Sequence, residues 1–225
     1  MLLTDKNIRQ LCNGVDNRTS IDFIKIIVDN GVFLRKISAG EKPMIEPFIG
    51  ELTKVITKEG SDTPVISYGL SSMGYDVRLG DEVEIFTNAN AKIIDPMKHD
   101  NDCLMKAKIN IDENGLRYFI LPANSYALGH TLETFNIPRD ILVTVLGKST
   151  YARAAVGINT TPIEPGFEGQ VVIEMTNGCS SPVKIYLDGG IAQFIFQVGL
   201  DECEVSYADR QGKYQGQQGI THSKV

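Results

Sequence analysis

The chain has 225 residues, with 22 Lys+Arg against 28 Asp+Glu for a net charge of −6, 42 % apolar residues and a mean hydropathy of −0.08. That composition suits a globular protein with one sizeable core, and no apolar run approaches the roughly 18 residues of a membrane span. The acidic balance and a pI near 5.1 argue against a broad nucleic-acid surface, which needs clustered Lys and Arg.

An acid, Asp5, arrives before any apolar signal region can build, so the chain is expected in the cytoplasm. There Cys12, Cys103, Cys179 and Cys203, which form no C-x-x-C pair, are expected as free thiols. Thr4 reads as the cap of a helix running to Cys12, with Ile8, Leu11 and Cys12 on one face. A second helix is predicted from Ser20 to Asp29, where Ile21, Ile24, Ile27 and Val28 repeat at helical spacing and Asn30-Gly31 ends the pattern. From Met44 the pattern changes. Segments 75–86, 117–121, 125–131, 141–146, 170–176, 183–187 and 191–197 are short, rich in Val, Ile, Tyr and Phe, and separated by Gly, Pro, Asn and Asp. Such spacing predicts a mainly β protein, an antiparallel sandwich or barrel. The chain thus divides into an N-terminal helical segment (1–43), a β domain (44–205) and a tail (206–225), whose Gly/Gln-rich stretch 212–219 reads as mobile.

His99, His130 and His222 are far apart, and no H-x-E with P-C-x-x-C exists, so the zinc nucleobase deaminase signature is absent. His130, inside an apolar run, reads as a structural residue. Gly147-Lys148-Ser149-Thr150 has the ending of a phosphate-binding P-loop, but Leu142 stands where that motif needs a glycine. What remains is a strand ending at Gly147 and one or two helical turns over 149–155. Free backbone N–H groups, Lys148 and two hydroxyls there could form a small anion site, and Arg153 lies four residues after Ser149 on the same side. A solvated turn capped by Ser149 is the plainer alternative.

Glu174 lies mid-strand in Gln170–Thr176, on the face of Val172 and Thr176 and opposite Val171, Ile173 and Met175. A partly buried strand carboxyl is paired or has a raised pKa, and a raised one can work as general acid and base; otherwise it lines a solvated sheet face. Upstream, two prolines and two glycines make a tight turn over 160–169, from which Glu164 could project toward a ligand hydroxyl or simply be an exposed loop acid.

Taken together, Gly147-Lys148-Ser149-Thr150-Tyr151-Ala152-Arg153, Thr161-Pro162-Ile163-Glu164-Pro165-Gly166-Phe167-Glu168-Gly169 and Val172-Ile173-Glu174 resemble the core of the dCTP deaminase family. The outer segments Ile66–Arg78 and Ser206–Gln217 extend the resemblance over roughly Met44 to Val225, and residues 14–42 look like an insertion. The resemblance implies a homotrimer of distorted antiparallel, dUTPase-like β-barrels with active sites between subunits. It implies hydrolytic deamination of dCTP to dUTP and ammonia, supplying dUMP and dTTP synthesis, with dTTP as feedback inhibitor. Residue by residue, Lys148, Ser149, Thr150, Tyr151, Ala152 and Arg153 match the segment that holds the triphosphate and the attacking water. Glu174 matches the proton shuttle, with Ser149 and Arg153 positioning the water. Val172 and Ile173 match backbone contacts to the cytosine edge. Gln193, Tyr207 and Gln217 match further nucleotide contacts, Lys213 a tail lysine that reaches the phosphates, and Glu164 the place where some relatives hold the sugar 3′-hydroxyl with Asp. No protein metal is implied; Mg²⁺ is expected on the triphosphate, and the tail is expected to act as a lid.

Two rivals stand beside this reading. One is a bifunctional enzyme that also hydrolyses dUTP to dUMP, with Glu164 orienting the water. The other is a non-catalytic deoxynucleotide sensor, which loss of Glu174 or Arg153 would have favoured; both are present.

Overall fold

The computed structural model describes residues 1–13, 24–28, 31–35, 42–58, 60–87, 95, 97, 103–187 and 189–224. Helix α1 (Asp5–Cys12) begins after Thr4, whose N–H and Oγ1 both donate to Asn7 Oδ1 (3.2 and 2.8 Å). It buries Ile8, Leu11 and Cys12, as their spacing predicts.

Where the helix predicted over Ser20–Asp29 falls on described residues, a strand is found instead. Strands β1 (Ile24–Val28) and β2 (Gly31–Arg35) pair antiparallel, Val28 opposite Gly31, and the other residues of that prediction lie outside the described ones. Four β-branched residues among the five of β1 outweigh a helical spacing that isoleucines also satisfy by chance.

The β domain continues with β3 (Ile45–Glu46), β4 (Leu52–Lys58), β5 (Ser61–Ser71), β6 (Gly74–Phe86), β7 (Leu104–Lys106), β8 (Asn110–Ile111), β9 (Arg117–Leu121), β10 (Tyr126–Asn136) and β11 (Ile141–Gly147). After the single turn α2 (Ser149–Ala152) come β12 (Val156–Ile158), β13 (Glu168–Asn177), β14 (Val183–Tyr186) and β15 (Gly190–Val198). A ten-stranded sheet follows the path β11-β15-β6-β10-β13-β12, with β3, β4, β5 and β7 branching from it, and β14-β9-β8 form a smaller sheet. Every pairing between these strands is antiparallel.

The sheet is not closed into the expected barrel. Between β11 and the chain leaving β12 only one isolated bridge forms, Val143 with Ile163. Pro162 and Pro165 on either side of Ile163 have no N–H to extend it. The core inside the curl is built from fully buried Tyr75, Phe119, Phe135, Phe194 and Phe196, with the Phe135 and Phe194 rings 4.9 Å apart. Among the described residues no helix is long and apolar enough to cross a membrane.

The tail packs on the β domain. Gln170 N–H donates to Gln217 O (2.9 Å), Gln217 Nε2 donates to Gln170 O (2.6 Å), and Gly219 N–H donates to Gln170 Oε1 (2.7 Å). Gly212 allows close packing: a Cβ there would stand 2.2 Å from the Tyr207 ring. His222 Nε2 meets Glu84 Oε2 at 2.6 Å and so ties the last turn to β6.

Candidate active site

A cavity of about 810 Å³ opens between β10, β13, the 160–167 turn and the tail, a size usual for a small-molecule site. Glu164, Val172, Glu174, Tyr207 and Gln217 all line it, so five of the residues singled out in the sequence converge. The alternation of β13 explains how. Val171, Ile173 and Met175 are buried in the core, which turns Val172 and Glu174 outward into the cavity.

The backbone of β13 alternates as well. Val171 N–H donates to Thr131 Oγ1 (2.9 Å) and Asn177 N–H to Ser125 O (2.8 Å), so odd residues spend their polar groups on the β10 side. Even residues face the other edge, where Thr176 pairs with Gly157, Glu174 O accepts Asn159 N–H (2.9 Å) and Gln170 is held by Gln217. Val172 falls in the gap between β12 and the tail, so its N–H and C=O are turned to the cavity. Ile173, expected to offer a backbone contact too, is opposite Gly129 and is committed to the β10 ladder.

Half-buried Glu174 has its carboxyl pushed up to about 7 by desolvation, partly offset by a hydrogen bond to its own backbone. It can therefore both give and take a proton near neutral pH. Sequence reasoning missed Tyr126, which lies on the same face of β10, diagonal to Glu174 across the Leu128–Glu174 pair. Burial, and then the charge of Glu174, push its phenol up to about 12. Thr160 Oγ1 and Gln217 Oε1 are buried in the cavity wall without a partner among the described residues, as suits a pocket whose occupant supplies polar groups. Only the strand register could have revealed Tyr126 beside Glu174.

The segment Lys148–Arg153 does not line this cavity. Ser149, Thr150, Ala152 and Arg153 are exposed, with Arg153 Nη1 donating to Ser149 O (3.0 Å). The Tyr151 side chain is 3 % exposed, and its hydroxyl accepts Tyr186 N–H (2.9 Å), which ties the turn to the core. Lys148 pairs with Asp76, and Gln193 Nε2 donates to Ser71 Oγ (3.1 Å). Lys213 Nζ donates to Lys224 O (3.0 Å). Glu164 is ion-paired with Arg210 of the tail. His130 is buried with Nδ1 2.9 Å from Thr131 O. All four cysteines are thiols, as expected, and among the described residues no three His, Cys, Asp or Glu side chains gather at one point.

The family model described as dCTP deaminase-like matches residues 50–199. The chain is 48 % identical over 193 residues to a dCTP deaminase of Helicobacter hepaticus (strain ATCC 51449 / 3B1), covering 86 % of this chain and 95 % of that one. It is 49 % identical over 183 residues to a dCTP deaminase of Pseudomonas fluorescens (strain SBW25), covering 81 % and 92 %. Over 192 residues it is 49 % identical to one of Francisella tularensis subsp. novicida (strain U112), covering 85 % and 96 %. Among solved structures, a 2′-deoxycytidine 5′-triphosphate deaminase from Agrobacterium tumefaciens aligns at a TM-score of 0.44 and 17 % identity, over 65 % of this chain and 42 % of that one. That alignment is too weak to add to the sequence match.

Proposed function

The chain belongs to the dCTP deaminase-like family, and we propose that it is a dCTP deaminase that converts dCTP and water to dUTP and ammonia, with Glu174 carrying the protons. The observation that supports this most is the Glu174 carboxyl, raised to about 7 in the cavity beside the open strand edge at Val172. Val172 N–H can donate to cytosine O2 while its C=O accepts from the amino group. Glu174 takes a proton from water as oxygen attacks C4 and delivers it to ring N3. A second proton, from the new hydroxyl to the departing nitrogen, lets the C4–N bond break and ammonia leave. Water enters and ammonia leaves, so the balance closes without a redox partner.

Ser149 and Arg153, which the resemblance assigns to the attacking water, are exposed and lie off the cavity of their own chain. We assign them to the cavity of a neighbouring copy in a homotrimer. Mg²⁺ belongs to the substrate as its triphosphate complex, and the reaction is placed in the cytoplasm. Zinc is given no role, because the sequence lacks the zinc deaminase signature. The same pocket would admit dTTP as an inhibitor. Glu164, on which a second hydrolytic activity would depend, is engaged by Arg210, which supports dUTP rather than dUMP as product.

Incubation with dCTP and Mg²⁺ tests the reading: dUTP with equimolar ammonia supports it, dUMP with pyrophosphate shows the bifunctional enzyme, and binding without turnover shows a sensor. Co-refolding Glu174→Gln with Arg153→Ala chains tests the shared site. Mixed assemblies should regain turnover that neither variant has alone, whereas a site held within one chain regains none.

A further inference from the structure

Among the described residues, the turn that carries Ser149 and Arg153 has two buried attachments. One is Tyr151 against Tyr186. The other is Lys148, whose Nζ lies 2.5 Å from Asp76 Oδ2 and donates to Ser67 Oγ (3.1 Å), with the Lys148 and Asp76 side chains 11 % and 6 % exposed. Asp76 sits on β6 between Gly69 of β5 and Gln193 of β15, in the middle of the sheet. The lysine reaches it past Gly190, where a Cβ would stand 2.0 Å from Ser67 O and 3.1 Å from Lys148 Cδ. Gly190 thus lets the chain approach the Ser67 backbone closely, with the lysine stem running alongside.

A buried ion pair is poor evidence of stabilisation, since desolvating two charges costs about as much as their attraction returns. What such a pair does supply is one defined position for the segment that bears it. We infer that Asp76, helped by Ser67, is a positioning residue for the deamination: it clamps Lys148 and thereby sets where Ser149 and Arg153 are presented. Lys148 is then an anchor rather than a free cation for the triphosphate. This rests on the dCTP deaminase reading above.

The test compares Asp76→Asn, Lys148→Met and their double variant with wild type, using Mg²⁺ and dCTP. Misplacing a water-holding group by about 1 Å costs on the order of 10²-fold. Each single variant should therefore lose about that much kcat with KM within roughly threefold. Because both act through one contact, the double variant should be no worse than the poorer single. Ser67→Ala, which leaves the charges paired, should lose kcat by about three- to tenfold, and it settles the matter if Asp76→Asn does not fold. Limited trypsin digestion gives a readout besides activity, with faster cleavage after Lys148 in Asp76→Asn and Ser67→Ala. Normal kcat with raised KM would make Lys148 a phosphate ligand and overturn the inference, as would additive losses or an unchanged digestion pattern. A wild-type enzyme that releases no ammonia from dCTP would instead overturn the underlying reading, and the digestion would still decide whether Asp76 anchors the turn.

Discussion

Replacing Glu174 with Gln should make the protein more stable in alkali while disabling it. Burial raises this carboxyl from its ordinary value near 4.3 to about 7, so the folded state holds a proton that the unfolded chain releases between those values. Stability contributed by that proton is full below the ordinary value and is lost as pH rises toward about 7. Above it the folded protein bears a half-buried charge that the Glu174→Gln variant lacks. At ~1.4 kcal/mol per pH unit the rise bounds the penalty near ~4 kcal/mol, and partial exposure to the cavity brings it to about 1–2 kcal/mol. For a chain of this size that is a Tm difference of ~2–8 °C. Thermal melts of both proteins at equal concentration should coincide at pH 4.5 and separate at pH 8, with Glu174→Gln the higher. Equal offsets at both pH values, or a lower Tm for the variant at pH 8, would refute a desolvated carboxyl.

Other perturbations probe different parts of the account. Dialysis against a zinc-selective chelator followed by Mg²⁺ should leave full turnover; stoichiometric zinc with activity tracking its content would contradict this. Truncation before Gly212 removes the bonds from Gln217 and Gly219 to Gln170 and should abolish most deamination while the β domain still melts cooperatively; wild-type kcat and KM would show the tail to be a mere terminus. Asn177 is 1 % exposed, and its Nδ2 donates to Leu121, Pro122 and Ser181 carbonyls while Oδ1 accepts Cys179 N–H. Asn177→Ala should therefore cost ~2–4 kcal/mol in urea unfolding, and a loss below ~1 kcal/mol would mean that water replaces those bonds.

The parts of this molecule that sequence made legible are those governed by local periodicity. The alternation around Glu174 placed Val171, Ile173 and Met175 inside and the carboxyl outside, as found, and the capped amphipathic turn of α1 followed the same logic. Ile24–Val28 failed because branched residues suit a strand and the same spacing suits a helix. The docking of the tail was not legible in its Gly/Gln composition: Gln217 forms a bridge to Gly169, 48 residues earlier in the chain, and no local pattern encodes that contact. Long-range register likewise hid Tyr126 diagonal to Glu174 and Asp76 beneath Lys148. The resemblance supplied candidate residues; which of them face one cavity was not legible, nor that the Tyr151 hydroxyl accepts Tyr186 N–H and Lys148 meets Asp76.

The central claim is that Glu174 moves the protons of dCTP deamination. It is tested most directly by measuring ammonia and dUTP released from dCTP with Mg²⁺ by wild type and Glu174→Gln at pH 7, alongside nucleotide affinity. The account predicts stoichiometric dUTP and ammonia from wild type, and a turnover lower by roughly 10²–10⁴ in the variant with dCTP affinity retained. A Glu174→Gln protein that deaminates dCTP at close to the wild-type rate would contradict it.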